Sequence, residues 1–174
     1  MSLNEWNPVT KGRLILFGLG ILSLFYLLWR AGDEGLPLLD HANLVFHEAG
    51  HPVIGIFSSR LEPYGGTFGQ LCFPIVLAIT FWRKQQPISY AIALVWFFEN
   101  FIGIARYMAD SRALLLPLVG GGGHDWNHIF FSWGILSYDT RIAAAVKIMG
   151  WLGMSGISLW VLWRGWLDRH RAVS

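Results

Sequence analysis

The pentapeptide His47-Glu48-Ala49-Gly50-His51 fits the pattern H-E-x-x-H. On a helix, residues four positions apart share one face, so both imidazoles can bind a single metal ion. The glutamate then lies close enough to hold a metal-bound water, which zinc acidifies and a carboxylate deprotonates. The pattern therefore predicts a metal site with His47 and His51 as ligands and Glu48 as the general base.

Two histidines leave a catalytic zinc site one protein ligand short. The stretch "GGGGHDWNHIF" offers three candidates, His124, Asp125 and His128, with the two histidines again four residues apart. Both pentapeptides read His-acid-x-x-His, so a second interpretation is an inverted repeat whose two halves together bind two metals. We expect one Zn²⁺ per chain, with two metals as the alternative.

The composition indicates which solvent surrounds these residues. Of 174 residues, 54% are hydrophobic and only 14% are charged, whereas a soluble domain carries about a quarter charged residues. We therefore expect an integral membrane protein with a lipid bilayer as its environment. The length predicts one domain over residues 1–174. The basic residues are scattered, which excludes nucleic acid as a partner.

The hydropathy pattern predicts an all-α polytopic membrane helix bundle of about six transmembrane segments. These segments are 14–29, 41–59, 67–82, 87–108, 124–137 and 140–163. The Gly- and Pro-containing stretches 61–70 and 114–123 are expected to be irregular, as re-entrant loops that line a cavity within the bundle. The distribution of Lys and Arg favours both termini in the cytoplasm, although Arg83 and Lys84 fall on the other side.

Three polar residues interrupt the predicted spans, namely Glu99, Asn100 and Gln70. Buried polar groups need hydrogen-bond partners. These side chains either orient the metal-binding histidines, bind the substrate backbone, or join helices to one another.

The helix that carries HEAGH, followed by "GGTFGQLCFP", resembles the site-2-protease-like membrane metallopeptidases over residues 41–76. The longer run through "DSRALLLPLVGGGGHDWNHI" is similar to a group of small bacterial membrane proteins of unassigned function. The first resemblance implies zinc on His47 and His51, Glu48 as base, and cleavage of membrane-protein or peptide substrates. It also implies an aspartate as third ligand in an Asp-Gly motif, for which Asp125 or a flanking histidine is the nearest equivalent. The bacterial inner membrane is the expected location.

The sequence thus predicts an enzyme, an intramembrane zinc hydrolase of the metallopeptidase type. Two other functions stay open at this point. One is a membrane metal-dependent oxidoreductase acting on lipids, although such enzymes use more paired histidines than this chain has. The other is a metal or proton transporter with a histidine-lined site.

Overall fold

The computed structural model describes residues 6–32, 34–119 and 123–171. The regular structure in this part of the chain is all helical, which confirms the all-α part of the predicted fold class. The helices are α1 (Lys11–Ala31), α2 (Pro37–Gly55), α3 (Glu62–Arg83), α4 (Pro87–Ala109), α5 (Asp125–Ser132) and α6 (Asp139–Arg171), with a single 3₁₀ turn at Leu136–Tyr138 before α6.

Local sequence explains where these helices begin and end. Pro37 and Pro87 open α2 and α4, where proline's missing N–H would have no helical partner in any case. The hydroxyl of Thr10 caps α1 by accepting from the N–H of Arg13. Gly32 ends the same helix at a φ of 56°, a left-handed conformation that favours glycine.

Among the described residues, four helices are long and apolar enough to cross a membrane. They are α1, α3, α4 and the helical stretch Leu136–His170. The fifth predicted segment, 124–137, is corrected, because α5 ends at Ser132. Gly134 follows with a φ of 69° and turns the chain. Eight residues rise only about 12 Å, less than half of a hydrocarbon core.

The expectation of an irregular segment at 61–70 is wrong, because α3 begins at Glu62 and continues without a break. The glycines that suggested a loop, Gly65, Gly66 and Gly69, instead bring α3 against α2. The second stretch is non-helical at 114–119, where the Asp110 carboxylate accepts from the N–H groups of Leu115 and Leu116. Its residues 120–122 lie outside the described ranges.

Helix α4 is the centre of the bundle and packs against both α3 and α6. Its last turns carry Ile104 and Met108, which meet Trp126 and Phe130 of α5 and Ala143 of α6 in a buried apolar cluster. This cluster fixes the short helix α5 on the bundle even though α5 has only eight residues.

The two ends of the bundle differ. At one end, the backbone N–H of Asn7 donates to the carbonyl of Gln85, and the N–H of Val9 donates to the Asp168 carboxylate at 2.9 Å. We call this the terminal end; it comprises residues 6–10, 84–86 and 164–171. The opposite end, formed by residues 34–40, 55–62, 106–119 and 123–136, is called the site end.

Helix α2 does not run from one end of the bundle to the other. Near its start, Asp40 pairs with Arg106 at 3.0 Å, close to the end of α4. At its finish, Gly55 contacts Glu62, the first residue of α3. Both ends of α2 therefore lie at the site end, and its middle packs on α3.

Gly50→Ala should separate α2 from α3. A methyl group on Gly50 would overlap the backbone carbonyl of Gly65, which cannot rotate away as a side chain could. Overpacking of this kind costs about 1–3 kcal/mol, and we expect a lower thermal unfolding temperature in detergent. Gly18→Ala in α1 is the matched control, since a methyl group there meets nothing within 4 Å. Equal unfolding temperatures for the two variants would contradict the close contact.

Candidate metal centre

Helix α2 places His47 and His51 one turn apart on the face that meets α3, with ring centroids separated by 5.0 Å. His47 is buried and His51 is half-buried. The imidazole of His47 lies directly over Gly66, where any side chain would overlap the ring. The glycine-rich start of α3 therefore makes the room in which the HEAGH imidazoles lie.

The Nδ1 atom of each imidazole faces an oxygen acceptor on α3. His47 Nδ1 lies 3.0 Å from Gln70 Oε1, and His51 Nδ1 lies 2.9 Å from the backbone carbonyl of Glu62. A carbonyl oxygen can only accept, so Nδ1 carries the proton and donates. In the neutral imidazole, the lone pair is then on Nε2, the arrangement seen in metal-binding histidines.

Asp125 brings a carboxylate to the same two Nε2 atoms. Its Oδ2 lies 2.9 Å from Nε2 of His47 and 3.3 Å from Nε2 of His51. Two nitrogen lone pairs and an anionic oxygen repel one another unless a cation lies between them. A proton or a metal ion is therefore needed to stabilise this arrangement.

The position of Asp125 is fixed by its neighbours. Its backbone N–H donates to the hydroxyl of Tyr107 at 3.0 Å, and the amide of Asn127 donates to the carbonyl of Ser111 at 2.7 Å. The Tyr107 ring also packs on His124 with centroids 4.1 Å apart. Asp125 is thus held at the first turn of α5 by contacts to α4 and to the segment that follows it.

His124 has a structural role at the start of α5. Its Nδ1 accepts from the N–H of Asn127 and caps α5, so its proton lies on Nε2, 3.5 Å from the Asp110 carboxylate. At that distance the neutral imidazole makes a weak polar contact with the carboxylate rather than a full hydrogen bond. Burial lowers the pKa of His124, and the nearby carboxylates of Asp110 and Asp125 oppose this shift.

Of the three candidates for the third ligand, the structure brings only Asp125 to His47 and His51. His124 caps α5, and His128 is exposed. The two H-x-x-x-H elements also differ in length, since α2 has 19 residues and α5 has eight. The described residues therefore bring together one cluster rather than two equivalent ones.

Glu48 lies beside this cluster. His47, Glu48 and His51 each offer a ligand atom, and these atoms lie within 4.8 Å of one another. Within the described residues, the Glu48 carboxylate makes neither a hydrogen bond nor an ion pair. It lines a cavity of about 490 Å³ that extends along α2 from Asp40 to His51 and is bounded on its other side by α4 and residues 116–119.

The residues at this site fit a zinc ion. Two imidazole nitrogens and one carboxylate oxygen are a ligand set that catalytic zinc uses, with a further position left for water or substrate. Donor atoms around a tetrahedral zinc lie about 3.3 Å apart, close to the two Asp125 distances above. Gln70 and the carbonyl of Glu62 supply the outer contacts that such histidines need.

Sequence reasoning left three roles open for Gln70, one of which was to orient the histidines, and the structure places Gln70 beside His47. It did not find Tyr107, Asp110 or the Glu62 carbonyl. No pattern in the sequence marks a backbone carbonyl or a tyrosine as part of a distant site. Glu99 contacts Asn43 and not a histidine, and Asn100 donates to the Trp96 carbonyl within α4.

No known protein family, no curated protein and no solved structure matches this chain.

Asp125→Asn should lower zinc affinity by at least tenfold, because the substitution replaces the anionic oxygen that contacts both imidazoles with a neutral amide. His128→Ala is the matched control, since that side chain is exposed on the same helix. Zinc content per chain after dialysis, measured by mass spectrometry, is the readout. Full zinc in Asp125→Asn together with zinc loss in His128→Ala would identify a different ligand set.

Proposed function

We propose that this protein is an intramembrane zinc-dependent hydrolase, and specifically a peptidase. His47, His51 and Asp125 would hold the metal, and Glu48 would be the general base. The observation that carries the proposal is that one Asp125 carboxylate oxygen lies 2.9 Å from Nε2 of His47 and 3.3 Å from Nε2 of His51, beside a cavity.

In the proposed hydrolysis, the metal would supply a Lewis acid and Glu48 would transfer the proton. A zinc ion held there supplies a Lewis acid that polarises a carbonyl group and makes water acidic near neutral pH. Glu48 accepts the proton of the attacking water as the water oxygen bonds to the carbonyl carbon. The same carboxylate gives that proton to the departing nitrogen as the C–N bond breaks. Glu48 is free for this task because no described residue holds its carboxylate.

The surrounding helices support this role by limiting access of water. The HEAGH face of α2 is covered by α3 and by the start of α5, so that His47 is only 7% exposed. A site from which bulk water is excluded strengthens each electrostatic contact within it. The cavity would admit a substrate segment along α2.

We further propose that α1, α3, α4 and α6 cross a bacterial inner membrane, with α2 and α5 packed among them. This topology has four membrane crossings, whereas the sequence predicted six. It places Arg83 and Lys84 on the same side as the start of α1 and the end of α6, because the α3–α4 turn contacts residue 7 at the terminal end. These basic residues then agree with a cytoplasmic terminal end, and the metal centre lies toward the other side of the membrane.

The other two functions draw less support. A di-metal oxidoreductase needs a second set of ligands, whereas His124 caps α5 and His128 is exposed. A transporter needs a path of polar groups through the bundle, whereas the described carboxylates and histidines near the metal centre lie toward the site end.

Glu48→Gln should abolish hydrolysis while zinc stays bound, because the amide keeps the shape of the side chain but cannot accept the proton. A loss of about 10²–10⁴-fold is expected. Zinc-loaded wild type and Glu48→Gln would each be reconstituted with membranes from cells that lack the protein. Sequencing of newly formed protein N-termini then reports cleavage that requires Glu48.

The same reconstitution separates the alternatives. Cleavage that persists in Glu48→Gln would contradict the proposal. Release of fatty acids in place of new N-termini would show a lipid hydrolase, and zinc uptake into sealed vesicles without any hydrolysis would show a transporter.

A further inference from the structure

A second polar cluster lies one helical turn from the metal centre and joins α2 to α4. Asn43 donates from Nδ2 to the Glu99 carboxylate at 3.0 Å, and the indole N–H of Trp96 donates to Asn43 Oδ1 at 2.8 Å. Asn43 is 7% exposed and Glu99 is 2% exposed. We call these three residues the Asn43 cluster.

The Asn43 cluster fixes which way the asparagine amide points. An indole N–H can only donate, so the atom that receives it has to be the amide oxygen. The amide nitrogen is then the atom that faces Glu99, and one of its two protons is used there. The second proton has no acceptor among the described residues, and Asn43 lines the metal cavity.

Burying the Asn43 cluster costs free energy, and this cost suggests that the cluster has a role in binding. A carboxylate buried in an apolar helix is expensive, and inside a membrane such residues are usually functional. Glu99 touches neither the histidines nor Asp125, so it does not tune the metal site directly. Among the described residues its carboxylate accepts one side-chain hydrogen bond, from Asn43, which makes the orientation of that amide the feature the cluster maintains.

The spacing suits a particular ligand. Asn43 lies four residues before His47, the nearer histidine of the metal centre, which is a rise of about 6 Å along the axis of α2. Carbonyl groups on one face of an extended peptide repeat every second residue, about 6.7 Å apart. A peptide with its scissile carbonyl at the metal would therefore present another carbonyl oxygen to Asn43.

We infer that Asn43 donates a hydrogen bond to a substrate carbonyl two residues from the scissile bond, with Glu99 and Trp96 as positioning residues. This inference rests on the proposed function, because it takes the metal centre as the point of cleavage. It requires the substrate to lie extended along α2 between His51 and Asp40.

The experiment uses hydroxamates, which bind zinc directly, as probes on the zinc-loaded full-length protein. Acetohydroxamate is too short to reach Asn43. Two dipeptidyl hydroxamates, which extend from the zinc-binding group in opposite chain directions, test both orientations of a bound peptide. Affinities would be measured by calorimetry for wild type, Asn43→Ala, Glu99→Leu and Glu99→Gln.

The expected result is selective. Asn43→Ala and Glu99→Leu should weaken one of the two dipeptidyl hydroxamates about tenfold, the effect of one lost hydrogen bond. Acetohydroxamate affinity and zinc content should stay unchanged, which also shows that each variant has folded. Glu99→Gln keeps an oxygen that can accept from Asn43, so it should retain most of the wild-type affinity.

Two results would overturn the inference. In one, all affinities are unchanged in Asn43→Ala, and the cluster only joins helices. In the other, the variants weaken acetohydroxamate as much as the longer probes, and the cluster maintains the metal site. Absence of zinc and of acetohydroxamate binding in wild type is a different outcome, because it refutes the proposed function itself.

Discussion

The close contact between α2 and α3 is the constraint on which the rest of the site depends. Gly50 on one helix and Gly65 and Gly69 on the other let the two backbones approach until no methyl group fits between them. Only at that distance can Gln70 and the carbonyl of Glu62 reach the Nδ1 atoms of the histidines. The glycines therefore set the orientation of the imidazoles, although they carry no chemistry themselves.

Once the imidazoles are oriented, the electrostatics of the centre follow. Each Nδ1 proton is used on α3, so each Nε2 directs its lone pair toward Asp125. The backbone that carries this carboxylate is held in place, because Tyr107 accepts from the Asp125 N–H and Asn127 ties α5 to Ser111. A rigid set of donors with no positive charge among them favours a cation over any rearrangement of the side chains.

The features of this centre that depend on local periodicity could be predicted from the sequence. The spacing of His47 and His51 and the apolar length of α4 follow from residues near in the chain. Residues 62–70 were misread as a loop because glycine lowers helix propensity, and the packing partner that stabilises them is a different helix. Which of Asp125, His124 and His128 lies beside the two histidines depends on how α5 docks, which no local pattern contains.

A helix that begins and ends at the same end of the bundle also explains how so polar a segment is accommodated. Asp40, Glu48 and the two histidines of α2 would be costly if the helix faced lipid. Packed against α3, and joined to α4 through Arg106 and the Asn43 cluster, they face protein and the cavity instead. In the proposed topology the four long apolar helices provide the lipid-facing surface, and α2 would carry the chemistry.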